Sequence, residues 1–249
     1  MSDTSLATYP PLNTLKRVAE HLWVVDGPII RFGMPWPKMP FPTRMTVVRL
    51  AGERLFVHSP TRLTPELKSE IERIGRPCYI IGPNRFHYWS ISDWRTAFPD
   101  AYVYLAAGVK EHAGNHIRFH GLPLCGAIGY LWDADLATLP VSCAHMTEVE
   151  FFHYPSRTLI LTDLIQNFEP RKLNSFAMRT LTRLGGVQDP DGQMPRDMRL
   201  VFMKQRAELR AAIEKMLQWN PERIILAHGR WYEKDGAKEL RRAFRWLLQ

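Results

Sequence analysis

The sequence predicts an α/β protein of four layers, an αββα sandwich in which two mixed β-sheets face each other and helices cover both outer faces. Three observations predict it. The chain has 249 residues, 45% of them apolar, enough for one sizeable core without division. Its segments run in the order hairpin strands, then β-α-β-α-β, further strands, helices, a strand and a helix. Strands and helices are mixed rather than strictly alternating, and two mixed sheets with outer helices accommodate that order. No low-complexity stretch or short-period repeat breaks the pattern, so residues 1–249 read as one domain with an N-terminal extension over residues 1–20.

The elements follow from local chemistry. Leu22 to Gly27 reads as a short strand ending in a turn. Residues 28–42 carry five prolines, and proline supplies no N–H to a ladder or helix, so an irregular loop is expected there. Met45–Leu50 and Leu55–His58 are apolar, β-branched runs joined by Ala51-Gly52-Glu53-Arg54, a hairpin signature. Thr64 before Pro65 is an N-cap with proline at the first helical position. Leu67, Ile71 and Ile74 share one face of that helix, and Gly75 stops it. Cys78–Ile81 is a buried strand ending in Gly82-Pro83-Asn84. A helix over Ile91–Phe98 and a strand over Ala101–Leu105 follow.

From Lys110 to Pro140 only Ala127–Trp132 is strand-like. His112, His116 and His120 have helical spacing, but Gly114 and Gly121 among them favour a surface loop. Glu148–His153 and Thr158–Asp163 read as two strands. Two helices come next, the longer over Arg196–Trp219 with Leu209, Ala212, Ile213, Met216 and Leu217 on one face. Gly185–Pro195 is the loop between them. Arg223–Ala227 is the last strand and Asp235–Leu248 the last helix.

Composition narrows the function. No run of 18 apolar residues occurs, so no segment is expected to span a membrane. Met1 to Leu15 is polar, without the basic and apolar regions of a secretory signal. Cys78, Cys125 and Cys143 form neither a disulfide framework nor a CxxC pair, which suits a reducing, cytoplasmic setting. The net charge is +8, and residues 164–249 hold 17 of the basic residues against 10 acidic ones. A basic half favours an anionic partner such as a phosphate or carboxylate; the alternative is solvated helix faces, as where Glu208, Arg210, Glu214 and Lys215 alternate. Basic clusters interleaved with aromatics are missing, so nucleic acid is disfavoured. Ser59 lacks a nucleophile elbow, and no phosphate-cradling glycine loop is present.

In α/β sheets functional groups collect beyond the carboxyl ends of strands. Four such ends carry chemistry here: Pro83–Trp89 after Ile81, Cys143-Ala144-His145 after Val141, Thr162-Asp163 after Leu161, and Ala227-His228-Gly229 after Leu226. Three histidines and a carboxylate at strand ends suit a first-row metal ion. Each has a plainer alternative: His87 as a hydrogen-bonded ring beside Tyr88 and Trp89, Asp163 as a turn cap, His228 bonding a carbonyl at its strand end.

The segments Thr158-Leu-Ile-Leu-Thr-Asp163 and Ile224-Ile-Leu-Ala-His228-Gly resemble the bridging-aspartate and last-histidine motifs of the metallo-β-lactamase superfamily. His145 precedes Asp163 by about the family's interval, and the strand and loop from Ile80 to His87 fall where the family carries H-x-H-x-D-H. Leu22-Trp-Val-Val-Asp-Gly-Pro, Phe56-Val-His-Ser-Pro60, Pro83-Asn84 with His87, and Ser156 to Asp163 resemble more closely the branch designated DUF4336. The resemblance implies a metal-dependent hydrolase fold with a degenerate site. Gly82 and Asn84 stand where the first two histidines belong, and Phe86 where the aspartate does. What remains for metal is His87, Asp163 and His228, with His145 belonging to the lost half. This implies one divalent ion, zinc or iron, acting on an ester, thioester, lactone or phosphoester of a small molecule. Asn84, Arg85, Tyr88 and Trp89 would line the substrate pocket, Arg85 meeting an anionic group. The alternative is a metal-free, catalytically silent binding module that keeps the fold.

Overall fold

Hairpins build the first part of one sheet and helical crossovers build the rest. The computed structural model describes residues 8–32, 39–144 and 146–249, with the backbone alone for residues 32 and 39. In the first sheet β1 (Lys16–Ala19), β2 (Leu22–Phe32), β3 (Met39–Arg49), β4 (Arg54–His58), β5 (Arg76–Gly82), β6 (Tyr102–Ala106) and β7 (Leu122–Leu124) lie side by side in chain order. Pairings up to β3–β4 are antiparallel, and those from β4 to β7 are parallel. Parallel neighbours need a crossover. Helices α1 (Pro65–Ile74), α2 (Ile91–Ala97) and α3 (Val109–Ala113) supply the three. Thr64 caps α1 as expected, its Oγ1 accepting from the Leu67 N–H at 3.2 Å, while Leu67 and Ile71 are buried.

The second sheet has the order β11-β10-β9-β8, from β8 (Leu136–Ser142), β9 (Thr147–His153), β10 (Thr158–Leu161) and β11 (Arg223–Leu226). Only β10 and β11 run parallel. Helices α4 (Phe176–Gly185), α5 (Arg196–Val201), α6 (Arg206–Gln218), α7 (Gly236–Ala243) and α8 (Arg245–Leu248) complete the chain. Strand side chains alternate between faces, and this alternation separates two cores. Val149, Phe151, Ile160 and Ile225 join Phe56, Ile80 and Trp132 between the sheets. Phe152, Leu159, Leu161, Ile224 and Leu226 instead pack under Leu209, Ile213, Leu240 and Phe244 of the helical layer. The architecture is therefore the expected one: two mixed sheets back to back with helices outside.

Several local expectations need correction. The proline-containing stretch over residues 28–42 is not an irregular loop: residues 28–32 belong to β2 and 39–42 to β3, with residues 33–38 outside the described residues. Pro28 sits at a bulge between Gly27 and Ile29, and the β3 residues before Thr46 have no second strand partner among the described residues, so the missing N–H groups cost little. Ala127–Trp132 is turn rather than strand; its aromatic residues stack, Tyr130 on Trp132 at 4.6 Å, and strand falls instead at β7 and β8. His112 lies within α3. The long helix breaks at Phe202, whose side chain is buried between exposed Val201 and Met203. The last helix likewise breaks at Phe244. Part of the N-terminal extension is built into the sheet as β1, and Thr14 bonds Glu70 of α1 at 2.7 Å.

Candidate metal centre

Three carboxyl ends of strands converge. β5 delivers His87, β10 delivers Asp163 and β11 delivers His228. After Gly82 the chain turns through Asn84, whose Oδ1 accepts from Phe86 N at 2.8 Å while its carbonyl accepts from His87 N at 3.1 Å. That turn aims His87 at Asp163, Nε2 to Oδ2 3.3 Å. His228 approaches the other oxygen, Nε2 to Oδ1 3.3 Å, and the two rings are 5.3 Å apart. One ligand atom from each of the three lies within 4.8 Å of the others. Metal–nitrogen and metal–oxygen bonds are near 2 Å, so this spacing fits a shared ion.

The opposite edge of each imidazole is held. The Ser59 hydroxyl lies 2.6 Å from His87 Nδ1, and Ser59 adopts a left-handed backbone, φ 52°, a strained conformation for a non-glycine residue. His228 Nδ1 lies 2.8 Å from the Pro42 carbonyl. Gly229 makes the turn after it at φ 89°, where a Cβ would come within 2.1 Å of Asn167 O; no side chain fits. Arg44, buried on β3, donates to the carbonyls of Leu226 at 2.6 Å and Gly229 at 2.8 Å, on both sides of His228. Asp26 holds Arg44 at 2.7 Å, and Lys16 holds Asp26 at 2.8 Å. Phe41 stands edge-on to the His228 ring at 5.2 Å. The proline-containing hairpin of one sheet therefore buttresses the last strand end of the other.

A buried polar shelf lies behind Asp163. Glu148 Oε1 accepts from three successive backbone N–H groups, Thr162 at 2.9 Å, Asp163 at 2.8 Å and Leu164 at 3.1 Å. The Asn84 amide donates to Asp163 Oδ2 at 2.8 Å, Thr162 Oγ1 at 3.0 Å and Glu148 Oε2 at 3.1 Å. Burial by itself would raise the Asp163 carboxyl, but hydrogen bonding from His228 and the charge of His87 outweigh it and hold it well below its ordinary value. Glu150, two residues along β9, goes the other way: burial, then the charge of Glu148, push it well above the carboxylate range. Neither of its oxygens has a hydrogen-bond partner among the described residues. Burial, then the charge of His87, also lowers His58 to about 3, and its ring packs edge-on against Phe151 at 5.5 Å.

Of the other expected site residues, Asn84 does not line a pocket; it is fully buried behind Asp163. Tyr88 and Trp89 stack on each other at 4.8 Å, Tyr88 buried and Trp89 partly exposed. His116 is exposed as expected, touching Tyr88 at 5.5 Å and Trp89 at 5.6 Å, whereas His112 is half-buried against Phe86 at 5.3 Å and Tyr88 at 5.9 Å. Arg85 reaches His112, Nη2 to Nδ1 3.1 Å. His145 lies outside the described residues. Ser59, Arg44 and Glu148 were not anticipated. Two glutamates inside an otherwise apolar strand were the one available signal for Glu148.

No protein-family model and no curated protein matches the chain by sequence. Solved structures do match by shape. The DIM-1 metallo-β-lactamase exposed to ceftazidime superposes with a TM-score of 0.59 at 13% identity, over 93% of this chain and 95% of that one. The FIM-1 metallo-β-lactamase from Pseudomonas aeruginosa, in its mono-zinc form, gives 0.59 at 12% identity, over 95% and 96%. The Flv1 flavodiiron core from Synechocystis sp. PCC6803 gives 0.60 at 11% identity, over 94% of this chain and 60% of that one. At such identities the likeness concerns the backbone, and the chain has the metallo-β-lactamase fold.

Proposed function

We propose that the protein is a hydrolase-like metalloprotein with one metal centre formed by His87, Asp163 and His228, acting on a small, anionic ester, thioester, lactone or phosphoester. One observation carries this reading: both imidazoles are fixed at Nδ1, by Ser59 and by Pro42, and both direct Nε2 at the Asp163 carboxylate at 3.3 Å. Holding the far nitrogen is how proteins orient histidine ligands. With Nδ1 committed to the Pro42 carbonyl, His228 has Nε2 left for the Asp163 side, where a metal ion would take the place of the proton that bridges them. The donor set of two nitrogens and one oxygen fits zinc or iron; the mono-zinc FIM-1 and flavodiiron Flv1 structures share the fold.

An ion bound there would polarise an acyl or phosphoryl oxygen and acidify a water. The remaining work falls to the chain. Asn84 and Glu148 hold Asp163 from behind. Arg85 orients an anionic group at the mouth, and Tyr88 and Trp89 form its wall. The degenerate signature supports a single ion: Gly82 offers no ligand, a Cβ there would crowd Ile91 Cδ1 at 2.9 Å and Leu105 Cδ2 at 3.0 Å, and Asn84 is committed to Asp163. That same loss favours the second reading, a metal-free binding module. Three unpaired cysteines, Cys78, Cys125 and Cys143, support a reducing, cytoplasmic setting. Elemental analysis of protein purified without chelator, and after reconstitution with zinc or iron(II), tests the centre. One ion per chain is expected; none under either condition supports the binding module.

A further inference from the structure

Half of the exposed large apolar side chains among the described residues fall in one short stretch. These are Phe176, Leu181 and Leu184 on α4 and Leu200, Val201 and Met203 at and beyond the end of α5. Phe176 is 84% exposed, Leu184 63% and Leu200 75%. On α4 the spacing of Phe176, Ala177, Leu181 and Leu184 makes one outward stripe, and Thr182 is the helix's one buried residue. The two helices meet near Gln193: it lies against Gly186 at the end of α4 and accepts from Arg199 of α5 at 2.5 Å.

Basic residues outnumber acidic ones around this face, although Glu169 pairs with Arg171 at 2.6 Å. Residues 170–188 contain Arg171, Lys172, Arg179 and Arg183 and no acidic residue. On α4, Arg179 and Arg183 flank the stripe beside Phe176. Arg196, Arg199 and Lys204 extend the basic character through α5, where Asp197 is the one acid. A symmetric contact between two copies would oppose cation to cation, so the partner must be anionic. Nucleic acid would have no use for six protruding aliphatic and aromatic side chains. A helix with apolar residues outward and arginines at its flank suits the interface of an anionic bilayer, where the side chains enter the acyl boundary and the guanidinium groups meet phosphates. No helix among the described residues is long and apolar enough to cross a membrane; lying on its surface needs no such helix.

We propose that the α4–α5 face docks on anionic lipid surfaces. On its inner side α4 packs Met178 against the cluster of Phe168, Leu173 and Val187, against which Phe41 also packs, and Phe41 touches His228. The docking face is thus backed by the apolar cluster that borders the metal centre, although the proposal stands whether or not metal binds.

Co-sedimentation of the full chain with phosphatidylcholine vesicles, with and without phosphatidylglycerol, tests it. Wild type is expected to bind the anionic vesicles only, less tightly as salt rises. Arg179→Gln with Arg183→Gln should weaken partition about fivefold per charge removed, and Leu184→Asp by about tenfold or more. These positions are exposed, so circular dichroism should show an unchanged fold. Failure to bind anionic vesicles, or variants binding as wild type does, would overturn the proposal. So would concentration-dependent dimerisation, without vesicle binding, that Leu184→Asp abolishes.

Discussion

His228 Nδ1 lies 2.8 Å from the carbonyl oxygen of Pro42, and a carbonyl can only accept. The bond therefore fixes the proton on Nδ1 and turns Nε2 towards Asp163. It also joins the two sheets, because Pro42 belongs to the hairpin β2–β3 and His228 to the end of β11. The orientation of the last histidine thus depends on a segment that is remote in sequence.

Arg44 is the strongest tie in that joint. Replacing it with Met would leave the buried Asp26 carboxylate compensated by Lys16 alone and the carbonyls of Leu226 and Gly229 without their Arg44 donor. Removing one partner of a buried pair costs about 3–5 kcal/mol, so Arg44→Met should lower the urea midpoint sharply. Adding Asp26→Leu to Arg44→Met should recover part of that loss, since the buried charge that Lys16 alone compensates is then gone. A double variant as weak as the sum of the singles would show that Arg44 and Asp26 act independently.

Stability should depend on pH through buried groups outside the metal centre. Burial lowers His58 to about 3 and His153 to about 4, against 6.5 when unfolded. Below 6.5 the unfolded chain takes up these protons and the folded chain does not, so stability falls on acidification until about 3 for His58 and 4 for His153. Glu150 works in the opposite sense: raised above 4.5 by burial, it loses its proton first in the unfolded chain, and stability falls as pH rises from 4.5. Each unbalanced proton is worth about 1.4 kcal/mol per pH unit. Between 4.5 and 6.5 His58→Leu should flatten the rise of stability with pH, and Glu150→Gln should steepen it. Urea titrations across that interval read both slopes; identical slopes in wild type and His58→Leu would count against a buried, neutral His58.

Ser59 separates two uses of His87. Its 2.6 Å contact with Nδ1 resembles the first link of a nucleophilic serine pair, yet it also serves to orient a metal ligand. If orientation is its role, Ser59→Ala should lower zinc affinity about 10- to 100-fold, and the wild type should not be labelled by a fluorophosphonate. Labelling at Ser59 with unchanged zinc affinity would give the hydroxyl the other role.

Much of the fold could be read from the sequence because its signals were local. Runs of apolar and β-branched residues marked β3, β4, β9 and β10, and Thr64-Pro65 marked the start of α1. The strand character of residues 28–32 and 39–42 could not be read, because a bulge at Pro28 and an edge at Pro40 and Pro42 without a β4 partner excuse these prolines, and both arise from strand pairing rather than local sequence. The centre's His87, Asp163 and His228 were legible as chemistry at strand ends. Their supports were not. Arg44 reads as a polar residue in a strand, and only the packing of sheet on sheet carries it to the carbonyls of Leu226 and Gly229. Asn84 was legible as polar and loop-borne, but its burial behind Asp163 follows from the meeting of β5 with Glu148 of β9.

The number of ions per chain tests the centre as a unit. With Gly82 packed under Ile91 and Leu105 and Asn84 committed to Asp163, only His87, Asp163 and His228 remain as a set, and at most one transition-metal ion is expected. Two histidines and a carboxylate are near the minimum for a stable divalent site. Removing one leaves too few ligands to survive purification, so His228→Ala should abolish retained metal. Asp163→Asn should do the same by removing the only anionic ligand, while Asn84 and Glu148 keep the backbone turn in place. His145→Ala should change little, since its partners in a second site would be Gly82 and Asn84. Elemental analysis of wild type and the three variants, with circular dichroism to confirm folding, reads all four outcomes. Two ions in wild type, or loss of metal in His145→Ala, would mean that the ligand set extends beyond these three residues.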